Sequence, residues 1–263
     1  MSRCRVISLN ANGLRAAARK GFRDWLQRQD ADVCCLQEVR LGEHQLEPGL
    51  LPPPGWHASW NFAQRPGYSG VAIWSRRPPE RVEAGIGAVE FDAEGRVLAA
   101  DFDNLRVVSL YLPSGSSSPE RQEAKYRFMA AFAPWLERQL AAPSPVLICG
   151  DWNIAHTAKD IKNAQGNLKN SGFLPEERDW LGRLLGTGWR DVWRDLHPEE
   201  EGAGYTWWSQ RGAARAKNVG WRIDYQIAHP RLAGRAARAW VEQRENFSDH
   251  APLLADYALG VPG

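Results

Sequence analysis

Val146-Leu147-Ile148-Cys149 runs straight into Gly150-Asp151-Trp152-Asn153, four apolar residues followed at once by a carboxylate and a carboxamide two positions apart. The apolar run reads as a buried strand. A strand interior is rigid and its end is open to solvent, so polar groups there are held accurately and still reach a substrate. An Asx turn that merely closes the strand would account for this stretch taken alone. Other strand ends repeat the pattern. Arg3 to Leu9 ends in Asn10-Ala11-Asn12-Gly13, Asp32 to Leu36 ends in Gln37-Glu38, and Val107 to Leu110 ends in Tyr111-Leu112-Pro113. Trp221-Arg222-Ile223-Asp224-Tyr225 puts one carboxylate inside a strand, and Asn246-Phe247-Ser248-Asp249-His250 precedes the last apolar strand. Each residue has a bland explanation: Asn10 as a turn residue, Glu38 as a solvated cap, Asp224 as a paired core acid, His250 as a satisfied histidine. Six segments ending in one small set of side chains point instead to a single cleft lined from many strands.

Working outward, strand-like stretches cover about 3 to 9, 32 to 37, 56 to 62, 70 to 75, 97 to 103, 106 to 112, 145 to 149, 204 to 208, 221 to 228, 236 to 242 and 251 to 257. Helical spacing of apolar residues is confined to Leu14 to Gln29, Pro119 to Leu140, and a helix opened by Pro175-Glu176-Glu177, with proline in the first turn and acids at the positive end of the dipole. Strands outnumber helices and often follow one another. The expected class is α/β, with two mixed sheets packed face to face and helices outside, in one domain over residues 1–263.

Composition narrows the function classes. The net charge of +2 is nearly balanced, so a polyanionic partner would have to be met by a local basic face. No run of ~18 apolar residues is present, so no membrane-spanning helix is expected, and polar Asn10 follows the first strand where a signal peptide would continue. A cytosolic protein is the expectation. Cys4, Cys34, Cys35 and Cys149 lie in or beside apolar strands without metal-ligand spacing and read as reduced core residues. Most of the thirteen tryptophans must also be core, and only those flanked by polar site residues invite a functional reading.

The chemistry follows from what is left. No serine or cysteine nucleophile has an adjacent base, no Gly-rich loop cradles phosphate, and no His/Cys cluster suits zinc. Carboxylates, neutral amides, one tyrosine and one histidine remain. Hard oxygen ligands of this kind suit Mg²⁺, and metal-assisted attack of water on phosphorus is the reaction class that fits.

With these residues in place the chain resembles the exonuclease III type of apurinic/apyrimidinic endonuclease, within the endonuclease/exonuclease/phosphatase superfamily. The motifs that carry the resemblance span the sequence: Asn10-Ala11-Asn12-Gly13-Leu14-Arg15, Leu36-Gln37-Glu38, Gly67-Tyr68-Ser69-Gly70-Val71, Gly150 to His156, Lys169-Asn170-Ser171-Gly172-Phe173, Asn218 to Tyr225, and Ser248-Asp249-His250-Ala251-Pro252-Leu253. The resemblance implies a four-layered αββα sandwich and hydrolysis of double-stranded DNA on the 5′ side of an abasic site. It also brings removal of 3′-blocking groups and 3′ to 5′ exonuclease action, in a monomer that takes Mg²⁺, with Mn²⁺ as substitute. By carry-over Glu38 holds the metal with Asn12, and Asp249 and Asp151 lie near it. Asp151 orients or deprotonates the attacking water, Asn153 and Asn10 hold water and phosphate, Tyr111 and His250 contact the phosphate, and Asp224 fixes the imidazole. Trp207, Trp221 and Ile223 match a pocket for a flipped, baseless sugar. Arg15, Arg40, Tyr68, Asn163, Asn167, Asn170, Lys217 and Asn218 match DNA-contacting positions, whose contacts position the duplex.

Two positions depart from the pattern. Ser114 stands where some relatives have asparagine, and Arg211 replaces an apolar wedge, so entry into the minor groove would rely on charge and guanidinium stacking. Two rival readings are weighed against the same residues. A small-molecule phosphatase of the superfamily would lack the Trp207/Trp221 pocket. A non-catalytic nucleic-acid-binding protein on this fold would have no physical reason to keep so many carboxylates facing a polyanion.

Overall fold

The computed structural model describes residues 2–259, so Met1 and residues 260–263 of the expected domain lie outside it. In chain order the first elements are β1 (Ser2–Asn10), α1 (Leu14–Arg19), α2 (Phe22–Arg28), β2 (Val33–Gln37), β3 (His57–Asn61), β4 (Val71–Ser75) and β5 (Arg81–Ala84). There follow α3 (Val89–Asp92), β6 (Val97–Phe102), β7 (Leu105–Tyr111), α4 (Pro119–Leu140), β8 (Val146–Asp151), α5 (Pro175–Gly186) and β9 (Arg190–Asp191). The last are α6 (Val192–Leu196), β10 (Trp207–Trp208), β11 (Gly220–Trp221), β12 (Asp224–Ala228), α7 (Pro230–Ala233), β13 (Ala236–Val241) and β14 (Leu253–Leu259).

Two six-stranded sheets form, ordered β13-β14-β1-β2-β4-β3 and β5-β6-β7-β8-β12-β9, beside the two-stranded β10-β11 ribbon. Each large sheet is mixed. β1 and β2 are parallel in the first, and β7 and β8 in the second, while the other strand pairs are antiparallel. Parallel neighbours need a crossover. The α1-α2 pair provides it in the first sheet and α4 in the second.

Burial explains the layers. Val6, Cys35, Val71 and Ile73 face Leu98, Val107, Leu147 and Cys149 in the core between the sheets. Phe22, Trp25 and Leu26 of α2 cover the outer face of the first sheet over Cys34, Leu36 and Trp74. Phe128, Phe132, Trp135 and Leu136 of α4, with Leu181 of α5, cover Val108, Ile148 and Ile227 of the second. This is the αββα sandwich expected from the sequence. All four cysteines are free, and burial pushes the Cys4 thiol up to about 12. No helix among the described residues is long and apolar enough to cross a membrane.

Some expectations about elements change. The helix expected over Leu14 to Gln29 is two, because Gly21 takes a left-handed φ of 87° and its N–H closes on Ala18 instead of continuing the ladder. The strand expected over 221 to 228 is broken: Arg222 donates its N–H to the Asp160 carbonyl, closing an isolated antiparallel bridge between Ile161 and Trp221 instead of extending β12, and Ile223 donates its own to the Thr206 hydroxyl. Only Trp207 and Trp208 of the 204 to 208 stretch are strand. Edge strands β5 and β9 were not expected, since β5 is largely exposed and carries no apolar alternation.

Candidate active site

Four of the six segments end at the carboxyl ends of the two parallel pairs: β1 at Asn10, β2 just before Glu38, β7 at Tyr111 and β8 at Asp151. A crevice outside the carboxyl ends of strands is the usual site in such sheets. Here two sheets share one crevice, a cleft of about 780 Å³ whose lining includes Asn12, Glu38, Tyr111, Asp151, Asn153, Asp249 and His250.

Asn10 joins the sheets. Its Nδ2 donates to Oε1 of Glu38 and to Oδ2 of Asp151, both at 2.8 Å, and its Oδ1 accepts from the backbone of Asn12 at 2.9 Å. Glu38 also accepts from the Arg40 guanidinium. Asn12, Glu38, Arg40 and Asn153 all have positive φ, between 45° and 52°. Such strain in non-glycine residues persists where surrounding contacts over-determine it, and here it turns their side chains around one cleft.

Asp151 stands opposite Tyr111 in the β7–β8 register and opposite Asp224 in the β8–β12 register. Its Oδ1 accepts from the Asn153 N–H at 2.9 Å, and its Oδ2 accepts from Asn10 and, at 3.2 Å, from Asn153 Nδ2. Burial pushes its carboxyl up to about 7, helped by Asp224 and Glu38 and opposed by His250 and Asn10. Burial and the Glu38 carboxylate likewise push the Tyr111 phenol well up.

His250 Nδ1 lies 2.8 Å from Asp224 Oδ2, and its Nε2 lies 3.9 Å from Asp151 Oδ2. Burial alone would favour the neutral ring, but the surrounding carboxylates, Asp224 first, raise it to about 10 and keep an imidazolium in the cleft. Asp249 accepts from Asn12 Nδ2 at 2.8 Å, from the Ser248 hydroxyl and from the Trp207 indole at 3.1 Å. Against the effect of burial, His250 and these donors hold its carboxyl below the usual range.

One end of the cleft is aromatic. Trp207 and Trp221 are paired residues of the β10-β11 ribbon, edge to face with centroids 5.9 Å apart, and Ile223 completes the wall over Phe173 and Ile161. Arg40 and Asn170 line the cleft too. The other positions expected to touch DNA lie around it. Asn170 donates to Asn167, which donates to the Asn163 carbonyl, forming an exposed amide chain at the rim. Arg15 lies in a separate depression, 3.9 Å from Glu47. The Tyr68 hydroxyl accepts from Arg96 at 2.7 Å and from Arg121. Arg211 and Lys217 are exposed in the loop between β10 and β11. Asn218 in the same loop spends its amide inward, accepting from the Trp208 indole at 3.0 Å and donating to the Gly202 carbonyl. Ser114 lines the cleft and bonds Ser116.

Sequence reading passed over three supports. Lys125 of α4 is fully buried and donates to the Asn153 carbonyl at 2.7 Å and to Glu177 at 2.5 Å. Glu177 in turn accepts from the N–H groups of Gly172 and Leu174 at 2.7 and 3.0 Å. The Thr206 hydroxyl accepts from the N–H of Asp224 at 3.1 Å. The signal for Lys125 was present: it sits in helical spacing with Phe128, Met129 and Phe132, a charge on an apolar stripe.

Two sets of side chains suit a metal ion. Glu38, Asn12 and Asp249 offer hard oxygens to the open cleft, the donor chemistry of a Mg²⁺ site. Asp151, Asp224 and His250 bring ligand atoms within 4.8 Å of one another. Both sets already carry hydrogen bonds, Glu38 and Asp249 from Asn10, Arg40, Asn12 and Trp207, and Asp151 and Asp224 from Asn10, Asn153 and His250, and the first set is the one whose three members all line the open cleft.

Residues 7–250 match the Endonuclease/Exonuclease/phosphatase family. The chain belongs to that family. Within it, the chain is 39% identical to an exodeoxyribonuclease of Bacillus subtilis (strain 168) over 95% of its own length and 97% of the relative's. It is 38% identical to the DNA repair nuclease APEX1 of Danio rerio, over 97% and 82% of the two chains. Among solved structures it superposes on a 3′ phosphatase from Neisseria bound to a product DNA hairpin, with a TM-score of 0.89, 29% identity and coverage of 97% and 100%. The family member described here is therefore of the exonuclease III and apurinic/apyrimidinic endonuclease type.

Proposed function

We propose that the chain is a Mg²⁺-dependent DNA repair phosphodiesterase that cuts the backbone 5′ to abasic sites. On this reading it also removes 3′-blocking groups and degrades 3′ ends, in one cytoplasmic, monomeric catalytic domain. One observation carries the reading: polar ends of strands from both sheets meet in a single cleft that finishes in the Trp207, Trp221 and Ile223 wall.

The geometry divides the labour. Glu38, with Asn12 and Asp249, would hold Mg²⁺, which when bound supplies positive charge beside the phosphate oxygens. Asp151, oriented by three hydrogen bonds, accepts the proton of the attacking water. Asn153 has its Nδ2 fixed on the Leu112 carbonyl at 2.8 Å, which steadies the turn against which water and phosphate rest. His250, kept cationic by Asp224, and Tyr111 meet the charge that grows on the phosphate oxygens. The indole wall admits a sugar that has lost its base, and a flipped nucleotide without a pairing partner is the least costly to extrude.

The test is a duplex carrying one abasic-site analogue, incubated with Mg²⁺ and then with EDTA. Cleavage on the 5′ side that disappears with EDTA is expected, and absence of any Mg²⁺-dependent cut removes the reading. The likeness to the 3′ phosphatase from Neisseria supports a second reading in which 3′-end processing dominates, and the Ser114 and Arg211 departures bear on the balance of the activities. Parallel substrates with a 3′-phosphate and an undamaged 3′ end would rank the activities.

A further inference from the structure

The loop between β10 and β11 carries Arg211 and Lys217, and about thirty residues later the 243–248 turn leads into Asp249 and His250. One side chain ties the two together. The Arg215 guanidinium donates to the Ser248 carbonyl at 2.9 Å, to Asn246 Oδ1 and the Gln243 carbonyl at 3.2 Å, and to the Glu245 carbonyl. All four acceptors are neutral, so the planar fork is used for its geometry and not for an ion pair. Its face lies over the Trp208 ring, 4.7 Å from the centroid.

What Arg215 holds leads into the site from two directions. Buried Trp208 donates its backbone N–H to the Asp249 carbonyl at 3.2 Å, and neighbouring Trp207 bridges to His250 and donates its indole to Asp249 Oδ2. The wall of the aromatic pocket and the turn bearing the cleft's imidazole therefore share one anchor. Arg215 itself does not line the cleft, and it borders instead a separate depression of about 330 Å³ with Lys20 and Asn246.

We infer that Arg215 is a positioning residue that locks the pocket wall to the Asp249-His250 turn, and so sets turnover without touching substrate. The inference rests on the nuclease reading for its kinetic consequence, while the anchoring itself is a property of the free protein.

The test compares wild type, Arg215→Ala and Arg215→Lys. Hydrogen–deuterium exchange without DNA should rise in Arg215→Ala over residues 206–210 and 246–251 and stay unchanged in β7 and β8. With the abasic duplex and Mg²⁺, kcat should fall about tenfold or more, since small misplacement of reacting groups carries penalties of this order. The Kd for the same duplex in EDTA should stay within about threefold. Arg215→Lys keeps the charge but cannot span four acceptors in one plane, so it should restore little of kcat.

Unchanged exchange in both segments overturns the inference whatever the activity. So does a weakened Kd with a shallower salt dependence at normal kcat, which would make Arg215 a phosphate contact, or full rescue by lysine, which would make charge the operative property. Wild type inactive on the abasic duplex would remove the nuclease reading instead, leaving the exchange measurement to decide the anchor.

Discussion

Asn10 has no charge to lose and yet ties the two sheets together at the cleft, because its one amide nitrogen reaches a carboxylate at the end of a strand of each. Around it, individual residues make sharp predictions. Asp151→Asn keeps the shape but removes the proton acceptor and turns one of its two accepting oxygens into a donor, so turnover on the abasic duplex should drop by ~10³-fold with DNA affinity retained. Wild-type rates in steady-state kinetics of that variant would reject the assigned role. Lys125→Met leaves Glu177 as an uncompensated buried charge, and urea unfolding should show a loss of about 3–5 kcal/mol. Lys125→Met combined with Glu177→Leu should recover part of that loss; a double variant no more stable than the single one would mean that the Gly172 and Leu174 N–H groups, not the charge pair, dominate. The strand-end residues were legible in the sequence because their polarity interrupts apolar runs. The committed amide of Asn218 was not, since an asparagine looks the same whether it faces DNA or a buried indole.

Elements owe their accuracy here to a few backbone positions. Gly150 sits between the apolar run and Asp151, and a Cβ there would come within 1.9 Å of the Leu110 carbonyl oxygen on the paired strand. Gly150→Ala should force β7 and β8 apart where Tyr111 and Asp151 face each other, lowering the melting temperature by several degrees and activity with it. An unchanged Tm with full activity would show that the pair can yield. Sequence periodicity located β7, β8 and α4 well because each buries a continuous apolar face. It missed the break after Trp221, where tertiary hydrogen bonds to Asp160 and Thr206 outweigh strand propensity. It also joined α1 to α2, because apolar spacing resumes after Gly21 with nearly the same phase.

At the scale of the molecule, stability away from the cleft depends on a second buried network. Arg222 bonds Asp160 at 2.7 Å and Asp191 at 2.7 and 3.1 Å, and Arg194 adds a second cation on Asp160 at 2.6 Å. Burial would push the Asp160 carboxyl up, but the two guanidiniums override it and hold it well below the usual range. A depressed carboxylate contributes stability that is fully present above its unfolded value of ~3.9 and is lost as pH falls through the folded one. The Asp160 contribution should therefore hold from neutrality to about pH 5, and urea midpoints should fall progressively below about pH 4 as it is lost. In Asp160→Asn that acid slope should be shallower, and an unaltered slope would place the acid sensitivity elsewhere. The network was invisible in the sequence, because Asp160, the Asp191–Arg194 pair and Arg222 lie some thirty residues apart along the chain, and their charges alone do not show that they meet.

β1 and β14 run side by side in opposite directions, with Ser2 opposite Leu259 and Ser8 opposite Leu253. β1 therefore enters from the pole where β14 leaves, while its other end delivers Asn10 to the cleft and β14 begins just after His250. A fluorophore, surface tether or fused protein attached at the start of β1 or the end of β14 would hang from the pole opposite the DNA face. Immobilised enzyme should thus process long duplexes as freely as enzyme in solution, and a short linker from the end of β14 to the start of β1 would not cross the path of the nucleic acid.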